Sequence, residues 1–144
     1  MDFLNPLAAL ISIGFGVIGW LMPKYTLQVL NLEGHTDTMG VSEIRASGGA
    51  LFVGMGIGAL YLGTPAAFAM LGMCWLGASI GRITSIVLDG NTRKKTGFLI
   101  VELIVALTVL AISVYALSRR AAERIRAARI KTQSGGRLKP NSFG

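Results

Sequence analysis

From Ala46 to Ile80 the chain carries no charged side chain, and the next turn then holds a single arginine, Arg82, in the stretch GASIGRITSIVLDGN. An uncharged run of that length cannot face water. It must be buried, either in protein or in lipid. Mean hydropathy is +0.60 and only 15% of the 144 residues are charged, against about 25% in soluble domains. The chain therefore reads as an integral membrane protein with one domain's worth of core.

A spanning helix needs about 20 mostly apolar residues. Four segments qualify: Phe3 to Met22, Ile44 to Leu62, Ala66 to Leu88 and Gly97 to Leu117. The expected fold is thus all-α, a four-helix transmembrane bundle over residues 1–117. Asp2 in place of a basic residue, and no small-residue cleavage site after Met22, make the first segment a retained helix rather than a leader. Gly63-Thr64-Pro65 is a tight turn between the second and third spans. Tyr25, Leu27, Val29, Leu30 and Leu32 predict a short interfacial helix in the first loop, ended by Gly34.

Lys/Arg and Asp/Glu balance over residues 1–117, so the net charge of +7 resides in the tail, residues 118–144. The positive-inside tendency places that tail in the cytoplasm, and four spans bring the N-terminus to the same side. Arg93, Lys94 and Lys95 oppose this assignment but are outnumbered by the eight basic residues of the tail. The tail divides into a basic helical continuation and a Gly/Ser/Pro-containing end with the composition of disorder. Arg119, Arg120, Arg124 and Arg126 are its expected contacts with lipid headgroups. No aromatic residue interleaves with these charges, which argues against nucleic acid as a partner.

With both termini inside, Glu43, Arg45, Arg82, Asp89 and Glu102 converge from three helices on one slab beneath the outer surface. An unpaired charge at mid-membrane costs about 2.5–3.5 kcal/mol on insertion scales, so pairing is expected. Depth matches Arg82 with Glu102, and Glu43, Arg45 and Asp89 are expected to close the network. Such a layer is either a clasp that fixes helix order or the polar floor of a cavity for a lipid, quinone or other amphiphile.

The letters GFGVIG match a dinucleotide fingerprint, but they sit in mid-span, away from the strand-to-helix turn that motif requires. Gly14 and Gly16 are read as helix-packing positions. So are Gly48 and Gly49, Gly54 and Gly58, and Gly77 and Gly81. His35 is a lone histidine in a loop, and Cys74 lies among apolar neighbours, so neither points to a metal or redox centre. No catalytic constellation is visible, and the expectation is that the protein is not an enzyme.

The motif EIRASGG at 43–49, then GRITSIVLDG at 81–90 and FLIVELIVAL at 98–107, resembles a domain-of-unknown-function family of small four-helix bacterial inner-membrane proteins. The resemblance runs from about residue 7 to 117. In plan it is also distantly similar to DoxX-type four-helix proteins. It implies an inner-membrane location, and similarity of plan sets no activity. The expected role is a non-catalytic accessory or assembly subunit of a larger membrane complex, with an energy-transducing one among the candidates. Its partners are then membrane lipids and other subunits. The alternative is a lipid- or quinone-binding protein that uses the charged layer, and a small ion or drug transporter comes third. No cofactor is expected beyond such a lipid or quinone.

Overall fold

The computed structural model describes residues 3–32 and 38–135, and every regular element among them is helical. Helix α1 (Leu4–Leu21) is followed by the short α2 (Pro23–Leu30). Next comes α3 (Met39–Arg45), which runs through a π-helical turn (Ala46–Ala50) into α4 (Leu51–Leu62). Helices α5 (Pro65–Asp89) and α6 (Arg93–Gly135) complete the described residues. Four helical stretches are long and apolar enough to cross a membrane: Leu4–Leu21, Met39–Leu62, Pro65–Asp89 and Arg93–Gln133.

The connections follow from local chemistry. Thr64 caps α5 by accepting from the Ala67 N–H at 3.2 Å, with Pro65 in the first turn, where no amide hydrogen is needed. Gly63 closes α4 at φ +57, a left-handed conformation that a side chain would strain. Helix α2 begins at Pro23 and ends at Asn31, which takes the left-handed cap (φ 54, ψ 38). It stops short of Gly34, the expected terminator, which lies outside the described residues, as does His35.

Two further boundaries differ from expectation. The second span starts at Met39, five residues before the expected Ile44, and its π turn widens the helix where Gly48 and Gly49 fall. Helix α6 starts at Arg93 and runs unbroken to Gly135, so the basic tail begins as a direct extension of the last span.

The helices associate as two pairs, α1 with α4 and α5 with α6. Small residues bring the pairs together in the half of the bundle near the chain's N-terminus. Ala8, Ala9 and Ser12 of α1, Ala59 of α4, and Ala106 and Val109 of α6 are buried there with Phe68, Leu71 and Trp75 of α5. Trp75 bridges the pairs: its indole N–H donates to Ser12 Oγ at 2.8 Å, and its ring meets Phe15 and Phe52 edge-on. Ser12 Oγ in turn donates to Ala8 O, so this buried hydroxyl serves both as acceptor and donor. Beyond Trp75, towards α2, the pairs separate, and α2 packs against α1 and α3 at that end.

Candidate functional site

The separation of the two pairs leaves a cavity of about 360 Å³ above Trp75. Its walls come from every element: Phe15 and Gly19 of α1, Tyr25 and Val29 of α2, Gly48 and Phe52 of the second span, and Phe98 and Val101 of α6. Arg82 of α5 and Glu102 of α6 are its charged groups. The cavity is a largely apolar chamber with an ion pair in the wall.

The pair is well formed. Arg82 Nε donates to both carboxylate oxygens of Glu102, at 3.0 and 2.9 Å, and Nη2 donates to Oε1 at 2.5 Å. The Glu102 side chain is 7% exposed and that of Arg82 is 26% exposed. Arg82 also lies over the Phe98 ring, with Cζ 5.1 Å from the centroid, where the ring face favours a cation. Charge is therefore neutralised within the wall, and Arg82 Nη1 makes no hydrogen bond among the described residues.

The rest of the expected network does not close. Arg45 Nη1 donates at 2.7 Å to Trp20 O, a carbonyl at the end of α1 left over by the helix ladder. Glu43 is exposed and accepts a hydrogen bond only through its backbone carbonyl, from Ser47 Oγ. Asp89 is exposed and accepts from Ser85 Oγ at 2.9 Å, within its own helix. Among the described residues neither carboxylate pairs with an arginine. The slab thus holds one ion pair and three groups that terminate helices or face outward.

The basic cluster in the α5–α6 turn has work of the same kind. Lys95 Nζ donates to Ser85 O and Gly90 O, capping α5, while Lys94 Nζ donates to Val29 O and Asn31 Oδ1 at the end of α2. Cations are favoured at helix C-termini by the dipole and by the free carbonyls there. Lys94 thereby ties α6 to the end of α2.

The glycines divide into two groups. A β-carbon on Gly16 would meet Gly49 O and Val53 N at 2.7 Å, and one on Gly49 would meet Trp20 N at 2.5 Å. Gly19 lies equally close against Gly48, so the α1–π-turn crossing is backbone on backbone. Gly56, against Ala9 and Ile13, and Gly72, against Leu110, play the same part and were not anticipated. By contrast Gly14, Gly54, Gly58, Gly77 and Gly81 have nothing within 4 Å of that position among the described residues. Four of them, Gly54 with Gly58 and Gly77 with Gly81, read as packing positions from their four-residue spacing, and Gly14 from the GFGVIG motif; such patterns specify a face without specifying what covers it.

Of the tail arginines, Arg119, Arg120, Arg124 and Arg126 are all exposed along the extension of α6. Arg119 lies over the Tyr115 ring at 5.9 Å, and Arg120 borders a second cavity at the opposite end of the bundle.

The family model for a domain of unknown function, DUF4345, matches residues 3–115, most of the chain. The chain belongs to the DUF4345 family. No curated protein and no solved structure matches it. The DUF4345 match ends two residues before Leu117, where the apolar stretch of α6 ends, so the cavity and the Arg82–Glu102 pair lie inside the family's domain and the basic extension lies outside it.

Proposed function

We propose that this protein binds a neutral amphiphile, of lipid or quinone type, in the chamber between the two helix pairs. The observation that carries this reading is a built, mostly apolar cavity with a neutralised ion pair in its wall. Ligand sites have this composition: apolar walls with a few polar groups that fix orientation. An anionic headgroup is disfavoured, because it would have to approach the Glu102 carboxylate and compete with it for Arg82. A neutral carbonyl or hydroxyl accepts from the spare Arg82 Nη1 without disturbing the pair. The reading is one of binding rather than catalysis.

Trp75, in the cavity wall, is a natural reporter, and Trp20→Phe leaves it as the only indole. A short-chain benzoquinone is expected to quench Trp75 fluorescence saturably, and dioleoylglycerol to compete with it. Replacing both members of the pair, Arg82→Met with Glu102→Leu, is expected to weaken that binding about tenfold, the equivalent of one hydrogen bond to a charged donor. Quenching that rises linearly with quinone and ignores the double variant would overturn the proposal.

A second reading, an accessory or assembly subunit in a larger complex, is favoured by the outward glycines. Gly54 and Gly58 lie four residues apart on one face of α4, and Gly77 and Gly81 on one face of α5, all with open space at the β-carbon position among the described residues. Small-residue faces of this kind admit close helix approach in lipid. Gly58→Leu is expected to detach a bound subunit on native gels while leaving the monomer folded. A wild-type protein that runs as a monomer at every detergent strength counts against this role.

For orientation, a bacterial inner membrane with both termini in the cytoplasm fits the charge distribution best. Lys94 and Lys95 oppose it less than their number suggests, since both ammonium groups are engaged with helix-end carbonyls. In a Cys74→Ala background, cysteine at Thr36 is expected to react with an impermeant reagent in intact cells, and cysteine at Ser142 to stay protected. The reverse pattern inverts the topology.

A further inference from the structure

The chamber above Trp75 is lined by five of the chain's eleven aromatic residues: Phe15, Tyr25, Phe52, Trp75 and Phe98. Filling an apolar wall does not require them, since leucine, isoleucine and valine are far commoner in this chain and cover its outward faces. Packing accounts for three of the five, because the rings of Phe15 and Phe52 meet Trp75 edge-on. Tyr25 and Phe98 meet no other ring among the described residues. Phe98 lies under the Arg82 guanidinium, and Tyr25 stands half exposed on α2.

The polar group on offer is equally specific. Among the described residues, the buried polar side-chain atoms that lack a partner are Asn5 Oδ1 and Ser113 Oγ. Arg82 Nη1 also lacks a partner and is not one of these, so it keeps accessible surface. A guanidinium only donates, so the ligand atom it meets must accept. Glu102 beside it requires that acceptor to be uncharged. A volume of about 360 Å³ lies at the small end of ligand sites, roughly 300–1,000 Å³. It admits a ring and excludes a pair of long acyl chains.

We infer that the head of the ligand is a planar conjugated ring with a carbonyl on its rim, seated among Tyr25, Phe52 and Phe98, with the carbonyl accepting from Arg82 Nη1. That assignment rests on the reading that the chamber binds a neutral amphiphile, and it selects the quinone type over the glyceride. Each ring-on-ring contact favours a planar ligand about two- to tenfold over a saturated one of equal area.

The test uses the full-length Trp20→Phe protein in detergent, with quenching of Trp75 by 2-decyl-3,5,6-trimethylbenzoquinone as the signal. Its fully substituted ring does not alkylate Cys74. Two competitors dissect the head. The matching cyclohexane-1,4-dione keeps the carbonyls and the tail but loses the flat ring, and the matching decyltrimethylbenzene keeps ring and tail but has no carbonyl. Each is expected to bind about tenfold more weakly than the quinone, and dioleoylglycerol to compete no better than the dione. A dione that binds as tightly as the quinone overturns the ring and leaves the amphiphile reading standing, whereas quenching that never saturates overturns both. A carbonyl-free ring that binds as tightly overturns the contact with Arg82. Duroquinone, the same head without the tail, is expected to bind at least tenfold more weakly; equal binding would identify a soluble ring and overturn a membrane-borne ligand. Tyr25→Leu is expected to weaken the quinone about fivefold and leave the dione unchanged, and equal loss of both would overturn the place of Tyr25 beside the ring. The comparison of ligands needs no change in the chamber, so a misfolded Tyr25→Leu protein does not shelter the proposal.

Discussion

Arg82→Ala and Glu102→Ala are each expected to destabilise the bundle by about 3–5 kcal/mol, because each leaves one member of a buried pair without its counter-charge. Glu102 is the more enclosed of the two, with a side chain 7% exposed against 26% for Arg82. Removing the arginine should therefore be the more damaging change: the stranded carboxylate has less access to water than the stranded guanidinium would have. Arg82→Lys is expected to restore only part of the loss. The side-on contact uses Nε and Nη2 together, and a single ammonium cannot reproduce that planar fork. Arg82→Met with Glu102→Leu removes both charges, fills similar volume and is expected to be milder than either alanine change. Thermal unfolding in detergent of the four proteins closes the cycle. Residues in one network couple by about 0.5–3 kcal/mol, whereas independent sites add. Simple additivity would mean that the pair does not hold α5 against α6.

This pair was legible in the sequence by depth alone. Glu102 lies early in the last span and Arg82 two turns before the end of the third, so consecutive antiparallel helices must bring them level. The four spans were equally legible, since lipid sets the length of an apolar run. What depth does not convey is azimuth. Glu43 and Arg45 lie at the right level, but the π turn at Ala46–Ala50 separates them from α4. An extra residue in one turn shifts the phase of everything before it by about 100°. Arg45 is thereby delivered to the end of α1, where Trp20 O is waiting, instead of to a carboxylate. Asp89 follows a simpler logic: at the last residue of α5 water reaches it, and Ser85 is nearer than any cation. The charged layer offered a cavity as one of its two readings, but the apolar walls had no sequence signature, because they are made by the divergence of two helix pairs and by α2 folding over the gap.

Glycine placement is subject to the same limit, and it sets the second large effect. Gly49→Ala is expected to cost about 1–3 kcal/mol, the usual range for overpacking, and Gly49→Leu to prevent the bundle from accumulating. The added β-carbon would stand 2.5 Å from Trp20 N and 2.7 Å from Trp20 Cα. Both are backbone atoms, so no rotamer change relieves the clash and α1 must move away from the π turn. Gly54→Ala, five residues on, is the control. Nothing lies within 4 Å of its β-carbon, and alanine is favoured over glycine in a helix by about 0.5–1 kcal/mol, so it should be neutral or stabilising. A sequence reading that takes Gly49, Gly54 and Gly58 alike as packing positions does not separate them. The line that matters runs through Gly49 and Gly56, seven residues apart, and both meet α1. The displacement also carries a functional consequence. Gly19 and Gly48 line the chamber beside this crossing, so moving α1 opens the wall that faces Arg82. Gly49→Ala is therefore expected to weaken quinone quenching of Trp75 as well as lower the unfolding temperature, whereas Gly54→Ala leaves both intact. Equal stability of the two variants would show that α1 and the π turn do not meet backbone to backbone.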